Sequence, residues 1–145
     1  GFNYRITDFQ AALGISQLSR LPKFKMHRRE IVSKYNQAFS KIPWLTTPAE
    51  AGEVSSCFHL YVLKIDFESI QLSRKEVMEA LLRENVGSQV HYIPLNKLPY
   101  YSRYLRDETP GAFSYYEHCL SIPLYPDMSN NDVNAVIKAV SRLER

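Results

Sequence analysis

The sequence has little of what marks disulfide frameworks, metal centres or phosphate-binding loops. Its 145 residues include two cysteines, Cys57 and Cys119, which are far apart and form no CxxC pair. Its four histidines show no HExxH or other paired-ligand spacing, and its five glycines are scattered. We therefore expect no metal site, no disulfide framework and no glycine-rich phosphate loop. This cysteine usage is typical of a reducing compartment and predicts a cytoplasmic location.

Long apolar runs are also missing. No stretch of about 18 apolar residues is present, so we expect no transmembrane helix and no membrane partner. The chain begins with Gly1 rather than Met and continues directly into a helix signal, so we take it to be part of a longer protein. A hydrophobic fraction of 45% and a charged fraction of 23% are ordinary for a globular domain, which argues against a disordered chain.

Positive charge is concentrated at the start of the chain. Residues 1–30 hold six Lys or Arg and two acidic residues, whereas the remainder is nearly neutral. The basic run from Lys23 to Arg29 could contact nucleic acid or an acidic protein. A solvated helix face explains the run better, because aromatic residues interleave poorly with it. We therefore expect no nucleic-acid partner.

Helical and strand patterns alternate along the chain. Thr7 and Gln10 form a capping box before an apolar pattern of helical spacing, and a kink or break is expected at Pro22. The later predicted elements are a helical pattern ending at Pro43, a loop at 46–56, a strand at 57–66, a helix capped by Ser73, a short strand within 86–92, a helix at 111–118, a short strand at 120–122 and a helix capped by Ser129.

This order predicts an α+β fold with two parts. Residues 1–44 form a long helical arm that links to a large domain outside the chain. Residues 45–145 form a small C-terminal domain, in which helices pack on a mostly antiparallel sheet.

Two polar clusters stand out as candidate sites. Asn3 and Arg5 precede the Thr7 cap, and an amide and a guanidinium beside a helix N-terminus suit an anion. His91 and Tyr92 end the strand predicted within 86–92, where they could contact a substrate or a phosphate. In both cases the pattern alone favours a plainer interpretation, namely a surface loop with an ordinary cap and a half-buried histidine bonded to backbone.

Several motifs, in the same order, resemble the DegT/DnrJ-type (StrS-like) sugar aminotransferases. The opening segment GFNYRITDFQAALGISQLSRLPKF is similar to the family segment that follows the catalytic lysine, which reads roughly G-x-N-x-R-[M/I]-[T/S]-[D/E]-x-Q-A-A-x-G-x-x-Q-L. Further matches are VHYIPL at 90–95, PYY at 99–101 and LSIPLYP at 120–126. The resemblance covers nearly the whole chain and implies the C-terminal segment of a fold-type-I enzyme dependent on pyridoxal phosphate.

The resemblance implies roles for particular residues. Asn3 would contact the phosphate of the cofactor in the neighbouring subunit, with Arg5 in the same loop, and His91 and Tyr92 would shape a sugar-nucleotide pocket. Asn96 stands where the family often has a histidine, which puts that substrate contact in doubt. The implied reaction moves an amino group from an amino acid, usually glutamate, to a keto group on a nucleotide-linked hexose. Surface polysaccharide or glycan biosynthesis is the expected setting.

The resemblance also implies a homodimer with shared active sites. The lysine that binds the cofactor lies upstream in the family, and no lysine of this chain stands in the matching context. We therefore expect the fragment alone to contain no catalytic residue, to be inactive and to hold no cofactor firmly. Two alternatives remain open: a dehydratase or regulatory member of the same family, and a separate binding module built on the basic arm.

Overall fold

The structure, a computed structural model, describes residues 2, 4–104 and 109–143. Within those residues the chain forms four α-helices, one three-stranded sheet and one short 3₁₀ turn. The helices are α1 Asp8–Phe39, α2 Arg74–Arg83, α3 Pro110–His118 and α4 Asn130–Ser141. The strands are β1 Leu45–Thr46, β2 Tyr61–Ile65 and β3 Cys119–Ile122, and the 3₁₀ turn is Leu95–Lys97. The predicted α+β class is confirmed.

Three of the helices begin with a capping box. In each, the side chain of the N-cap residue accepts a hydrogen bond from the backbone N–H three residues later, and the side chain of that later residue accepts one from the N-cap N–H. This exchange satisfies two backbone donors that the helix itself leaves unpaired. The pairs are Thr7 with Gln10, Ser73 with Glu76, and Ser129 with Asp132.

Helix α1 does not break at Pro22. It continues for 32 residues from Asp8 to Phe39, so the two helical patterns belong to one helix and a break at Pro22 is excluded. Proline removes one N–H and leaves the carbonyl of Leu18 without its helical partner. Leu18 and Leu21 are exposed here, so water can hydrate that carbonyl and the helix tolerates the loss.

The sheet has the order β1, β2, β3, with both pairings antiparallel. Tyr61, Leu63 and Ile65 of β2 are buried and alternate with more exposed residues. Side chains alternate between the two faces of a sheet, so these residues share one face with their cross-strand partners Leu120 and Ile122. Buried residues of α1, α2 and α4 belong to the same core.

The sheet differs from the predicted one at two places. The strand predicted at 57–66 is confined to β2, because Phe58 has a φ of 45° that interrupts an extended chain. The segment predicted as a loop at 46–56 begins in β1, whose two residues pair with Lys64 and Ile65.

Two tyrosines fasten the second half of α1 to the sheet. The ring centre of Tyr35 lies 5.0 Å from that of Tyr61 and 5.7 Å from that of Phe39. The Tyr61 hydroxyl donates to Asn36 Oδ1 at 2.6 Å, and the Tyr35 hydroxyl donates to the Pro123 carbonyl at 2.9 Å. Both phenols are therefore buried with a hydrogen-bond acceptor, and α1 is held to both β2 and the chain that follows β3.

An ion pair attaches the long loop before β2 to α1. The Arg29 guanidinium donates to both carboxylate oxygens of Glu50, at 2.9 and 3.0 Å, and to the Ser56 carbonyl at 3.1 Å. It also lies 5.5 Å from the centre of the Phe58 ring. Hydrogen bonds from Arg29 and from the Ser56 N–H lower the pKa of the Glu50 carboxyl from 4.5 to about 2.

The neighbouring leucines of α2 test the position of the core. Leu81 is 1% exposed and Leu82 is 67% exposed. We expect Leu81→Ala to lower the free energy of unfolding by about 2–5 kcal/mol, because it leaves a cavity. Leu82→Ala is the matched control and should change it by less than about 0.5 kcal/mol. Urea denaturation followed by circular dichroism measures both, and equal losses would contradict this core.

The ion pair predicts a pH-dependent contribution to stability. The pKa of Glu50 is lowered in the folded state, so its stabilisation is complete above pH 4.5 and is lost as pH falls from 4.5 to about 2. We expect Glu50→Gln to have a lower urea midpoint than the unmodified chain at neutral pH. The difference should shrink towards zero as the pH approaches 2, and Glu53→Gln, an exposed control in the same loop, should show none. A difference that stays constant with pH would exclude this origin.

Candidate functional site

The end of α2 directs the chain towards β3. Asn85 follows the helix with a φ of 59°, a left-handed conformation that asparagine tolerates better than most residues. The N–H of Asn85 bonds to the Leu82 carbonyl and the N–H of Val86 to the Leu81 carbonyl, both at 2.9 Å. This is a Schellman motif, and its apolar residue Val86 is 4% exposed. The motif fixes the direction in which the following residues leave the helix.

The next residues pair with β3. The Gln89 N–H donates to the Ser121 carbonyl at 3.1 Å, and the Ser121 N–H donates to the Gln89 carbonyl at 2.8 Å. Leu120 and Ile122 face the core, so Cys119 and Ser121 point to the opposite face of the sheet. All four residues of β3 are buried, which shows that this second face is covered as well. The short strand predicted within 86–92 is thus reduced to one bridge.

His91 and Tyr92 lie together at this covered face. His91 Nδ1 is 2.8 Å from Ser121 Oγ, and the imidazole is half-buried. The Tyr92 ring centre lies 4.6 Å from the imidazole, with the rings nearly perpendicular at 87°. The peptide bond between the two residues is cis. Tyr92 is 73% exposed, so the pair presents a phenol to solvent beside a fixed imidazole.

Cys119 and Arg74 both contact Tyr116 near the second face of β3. Cys119 Sγ is 3.6 Å from the Tyr116 carbonyl, to which Arg74 also donates. The Arg74 guanidinium carbon lies 4.5 Å from the centre of the Tyr116 ring. Burial raises the pKa of the Cys119 thiol, and the nearby Arg74 charge and the backbone N–H of His91 offset part of that rise. Cys119, Ser121 and Arg74 were not among the predicted site residues, although small polar residues inside an apolar strand were a signal for the first two.

An aromatic loop follows His91 and Tyr92 along the chain. The Arg103 guanidinium carbon lies 4.5 Å from the Tyr100 ring centre and 5.0 Å from that of Tyr104, and both rings are mostly exposed. Asn96, which stands where the resemblance implies a histidine, donates to Thr109 Oγ1 at 3.1 Å. Asn96 therefore ties the two ends of this loop together.

The predicted anion site lies at the start of α1. Asn3 lies outside the described residues. Arg5 is exposed in the segment before the Thr7 cap, and it forms no ion pair or hydrogen bond with another described side chain. It precedes the N-cap of α1 by two residues and is therefore close in sequence to the positive end of a long helix. Within the described residues it makes no contact with His91 or Tyr92, so the structure does not join the two predicted clusters.

The first part of α1 and the segment before it expose a large apolar surface. Ala11, Ala12 and Gly14 lie among these side chains, and an added Cβ at Gly14 would meet no atom within 4 Å. Large exposed apolar surfaces mark interaction sites. At about 100° per residue these side chains are spread around the helix axis rather than confined to one face. The exposed side chains, here named the α1 apolar surface, are Phe2, Tyr4, Ile6, Phe9, Leu13, Ile15, Leu18, Leu21 and Met26.

The described residues lack the features of a metal site and of a membrane span. Across residues 2, 4–104 and 109–143, no group of three or more His, Cys, Asp or Glu side chains could hold a metal ion. No helix in the same part of the chain has the length and apolar character needed to cross a bilayer.

Comparison with known proteins identifies the family. Residues 1–141 match the DegT/DnrJ/EryC1/StrS aminotransferase family. The chain belongs to this family. The predicted resemblance is therefore confirmed over nearly the whole chain.

Three relatives show what share of a family member the chain spans. It is 42% identical to the spore coat polysaccharide biosynthesis protein SpsC of Bacillus subtilis over 97% of this chain and 37% of SpsC. PseC, an aminotransferase of pseudaminic acid biosynthesis from Helicobacter pylori, matches with a TM-score of 0.87 and 25% identity over 99% of this chain and 38% of PseC. Spr1654 from Streptococcus pneumoniae, in its pyridoxal phosphate form, matches with a TM-score of 0.84 and 27% identity over 97% and 36% of the two chains. The chain thus spans somewhat more than a third of these family members.

Solved structures of the family agree with the predicted fold and indicate the family's cofactor. The high TM-scores confirm that the described part has the fold of the corresponding segment of aminotransferases in this family. Structures with bound pyridoxal phosphate and pyridoxamine phosphate are among its relatives, so dependence on this cofactor is a property of the family.

The two cysteines should differ sharply in reactivity. Cys57 is exposed, whereas Cys119 is buried and its thiol has a raised pKa. The thiolate is the reactive form, so we expect iodoacetamide at neutral pH to alkylate Cys57 and to leave Cys119 unmodified in the folded protein. Mass spectrometry of the digested peptides measures both sites, and unfolding in urea should make them equally reactive. Rapid alkylation of Cys119 in the folded protein would contradict the covered face of β3.

Proposed function

We propose that this chain is the C-terminal part of an aminotransferase that moves an amino group from an amino acid to a nucleotide-linked keto-hexose. Glutamate is the proposed donor, and surface polysaccharide or glycan biosynthesis is the proposed setting. The observation that carries the proposal is the match of residues 1–141 to a family of aminotransferases. SpsC, with 42% identity, is named for polysaccharide biosynthesis, which supports the setting.

The chain offers groups suited to one part of pyridoxal phosphate, its phosphate. Arg5 is exposed and precedes the N-cap of α1 by two residues, and Asn3, two residues earlier in the sequence, carries an amide donor. We propose that these residues bind the phosphate across a subunit boundary. When bound, the cofactor supplies the electron sink on which amino-group transfer depends. The lysine that binds it is proposed to lie outside this chain, because no lysine here stands in the family context.

The substrate side is assigned to His91 and Tyr92. The imidazole is held by Ser121 and offers a polar edge, and the exposed Tyr92 phenol offers both a ring face and a hydroxyl. We propose that they contact the nucleotide-linked sugar by hydrogen bonds and by packing. Neither group is proposed to move a proton in the reaction.

The α1 apolar surface is assigned to assembly. We propose a homodimer with shared active sites, in which this surface packs against other parts of the dimer. Residues 1–44 act as the arm that leads to a large domain, and residues 45–145 form the small domain. Tyr35 and Phe39 anchor the arm in the core of that small domain. Two free thiols fit a cytoplasmic setting.

Two alternative functions are a binding module built on the basic run Lys23 to Arg29 and a dehydratase or regulatory member of the family. Two cations of the basic run are engaged within the chain, since Arg29 pairs with Glu50 and Lys25 donates to the Ser55 carbonyl at 3.1 Å. This leaves less of the run for a nucleic acid or an acidic partner. The reaction product distinguishes the remaining candidates. An aminotransferase forms an amino sugar, a dehydratase forms a dehydrated sugar, and a regulatory protein on the same scaffold forms neither.

Amino transfer is the direct test. The complete protein, loaded with pyridoxal phosphate, is incubated with glutamate and a panel of keto-hexoses linked to UDP or dTDP. We expect an amino-sugar nucleotide and an equal amount of 2-oxoglutarate, both measured by mass spectrometry. Asn3→Ala should raise the Kd for pyridoxal phosphate roughly tenfold, the effect of losing one hydrogen bond to a charged group. Asn131→Ala, an exposed control on α4, should leave it unchanged.

Two results would overturn the proposal. A dehydrated sugar without 2-oxoglutarate would assign the protein to the dehydratase branch. An unchanged Kd in Asn3→Ala would remove the proposed phosphate contact.

The 145-residue chain by itself should neither transfer the amino group nor bind the cofactor firmly.

A further inference from the structure

Ser121 is a polar residue in the buried part of the sheet. It is 5% exposed, and its backbone N–H and carbonyl are both used by Gln89. The hydroxyl is then the group that still needs a partner. Within residues 2, 4–104 and 109–143, that partner is His91 Nδ1 at 2.8 Å.

The direction of this hydrogen bond follows from the hydroxyl group. A serine hydroxyl has one donor and two acceptor positions, and a buried donor left unpaired is costly, whereas a spare acceptor costs less. With a single partner among the described residues, this asymmetry favours donation from the Ser121 hydroxyl to His91 Nδ1. A nitrogen that accepts a hydrogen bond carries no proton, so the neutral ring has its proton on Nε2.

We propose that Ser121 is a positioning residue that holds His91 in the Nε2–H form and keeps this N–H available to the substrate. The substrate contact rests on the function proposed above, but the effect of Ser121 on the ring does not. Nδ1 is bound to the strand, so Nε2 is the nitrogen left for a ligand. An N–H donor selects an acceptor oxygen, such as a hydroxyl or phosphate oxygen, and disfavours an ammonium group.

Tyr92 adds to the same arrangement. Its ring meets the imidazole nearly at a right angle, with the centres 4.6 Å apart, which restricts rotation of the imidazole. The hydrogen bond to Ser121 selects the nitrogen and the aromatic contact limits the plane. A serine that only filled space would leave the proton free to occupy either nitrogen.

Nitrogen NMR of the complete protein, labelled with ¹⁵N-histidine, tests the proposal. Spectra are recorded at about pH 9, where histidine is ordinarily neutral, and the His91 signals are assigned by their loss in His91→Gln. We expect the Nε2–H form alone in the unmodified protein, a mixture of both forms in Ser121→Ala, and the Nε2–H form again in Ser121→Thr, which keeps the hydroxyl. Ser141→Ala, an exposed control on α4, should leave the spectrum unchanged.

A second variant keeps the test decisive if Ser121→Ala does not fold. Ser121→Cys retains the volume but has only a weak donor, and it should also give a mixture. An Nδ1–H form in the unmodified protein, or an unchanged spectrum in the folded alanine or cysteine variant, would overturn the proposal.

Kinetics separate this proposal from the proposed function. With the keto-sugar nucleotide on which the protein is most active, Ser121→Ala should raise KM roughly 3- to 10-fold and change kcat by less than about twofold. Ser121→Thr should restore KM. A changed tautomer with an unchanged KM would support the role of Ser121 on the ring and would remove His91 from the substrate contacts.

Discussion

The contact between Tyr35 and Tyr61 fixes helix α1 against the sheet. Both rings are fully buried, and the hydroxyls are satisfied by the Pro123 carbonyl and by Asn36. Burial raises the pKa of both phenols, so both stay neutral at any ordinary pH. A polar group on each ring meets a partner on the opposite element, so the contact is specific as well as apolar. It fixes α1 and the sheet in one relative position, and the sheet in turn carries the residues beside His91.

Strand β3 connects stability to the candidate site. Leu120 and Ile122 complete the core on one face, while Cys119 and Ser121 contact His91 and its surroundings on the other. A four-residue strand with two covered faces leaves little room for change. A core substitution that displaces β3 therefore also displaces the hydroxyl that contacts His91.

The parts of the fold that depend on local sequence were predictable. The capping boxes at Thr7 and Ser73 need only residues three positions apart, and the order of helices and strands follows from apolar spacing. Pro22 misled the prediction because the effect of a proline depends on whether the carbonyl it frees is exposed, which sequence alone does not reveal.

The candidate site was predictable only in part. The polar pattern singled out Asn3, Arg5, His91 and Tyr92, and the resemblance to the family implied their roles. The bond between His91 and Ser121 joins positions 30 residues apart, and it depends on a strand pairing that no short motif encodes.

Because α1 is long, a small tilt where it packs in the core produces a large displacement at its N-terminal end. At 1.5 Å per residue, Asp8 lies about 35 Å along the axis from Ile31, the first residue of the helix that is buried in the core. A tilt of only about 5° at the buried end would swing the free end by about 3 Å, roughly the length of one hydrogen bond. The position of Arg5, which precedes this end of α1, therefore depends on how tightly the rings of Tyr35 and Phe39 pack in the core.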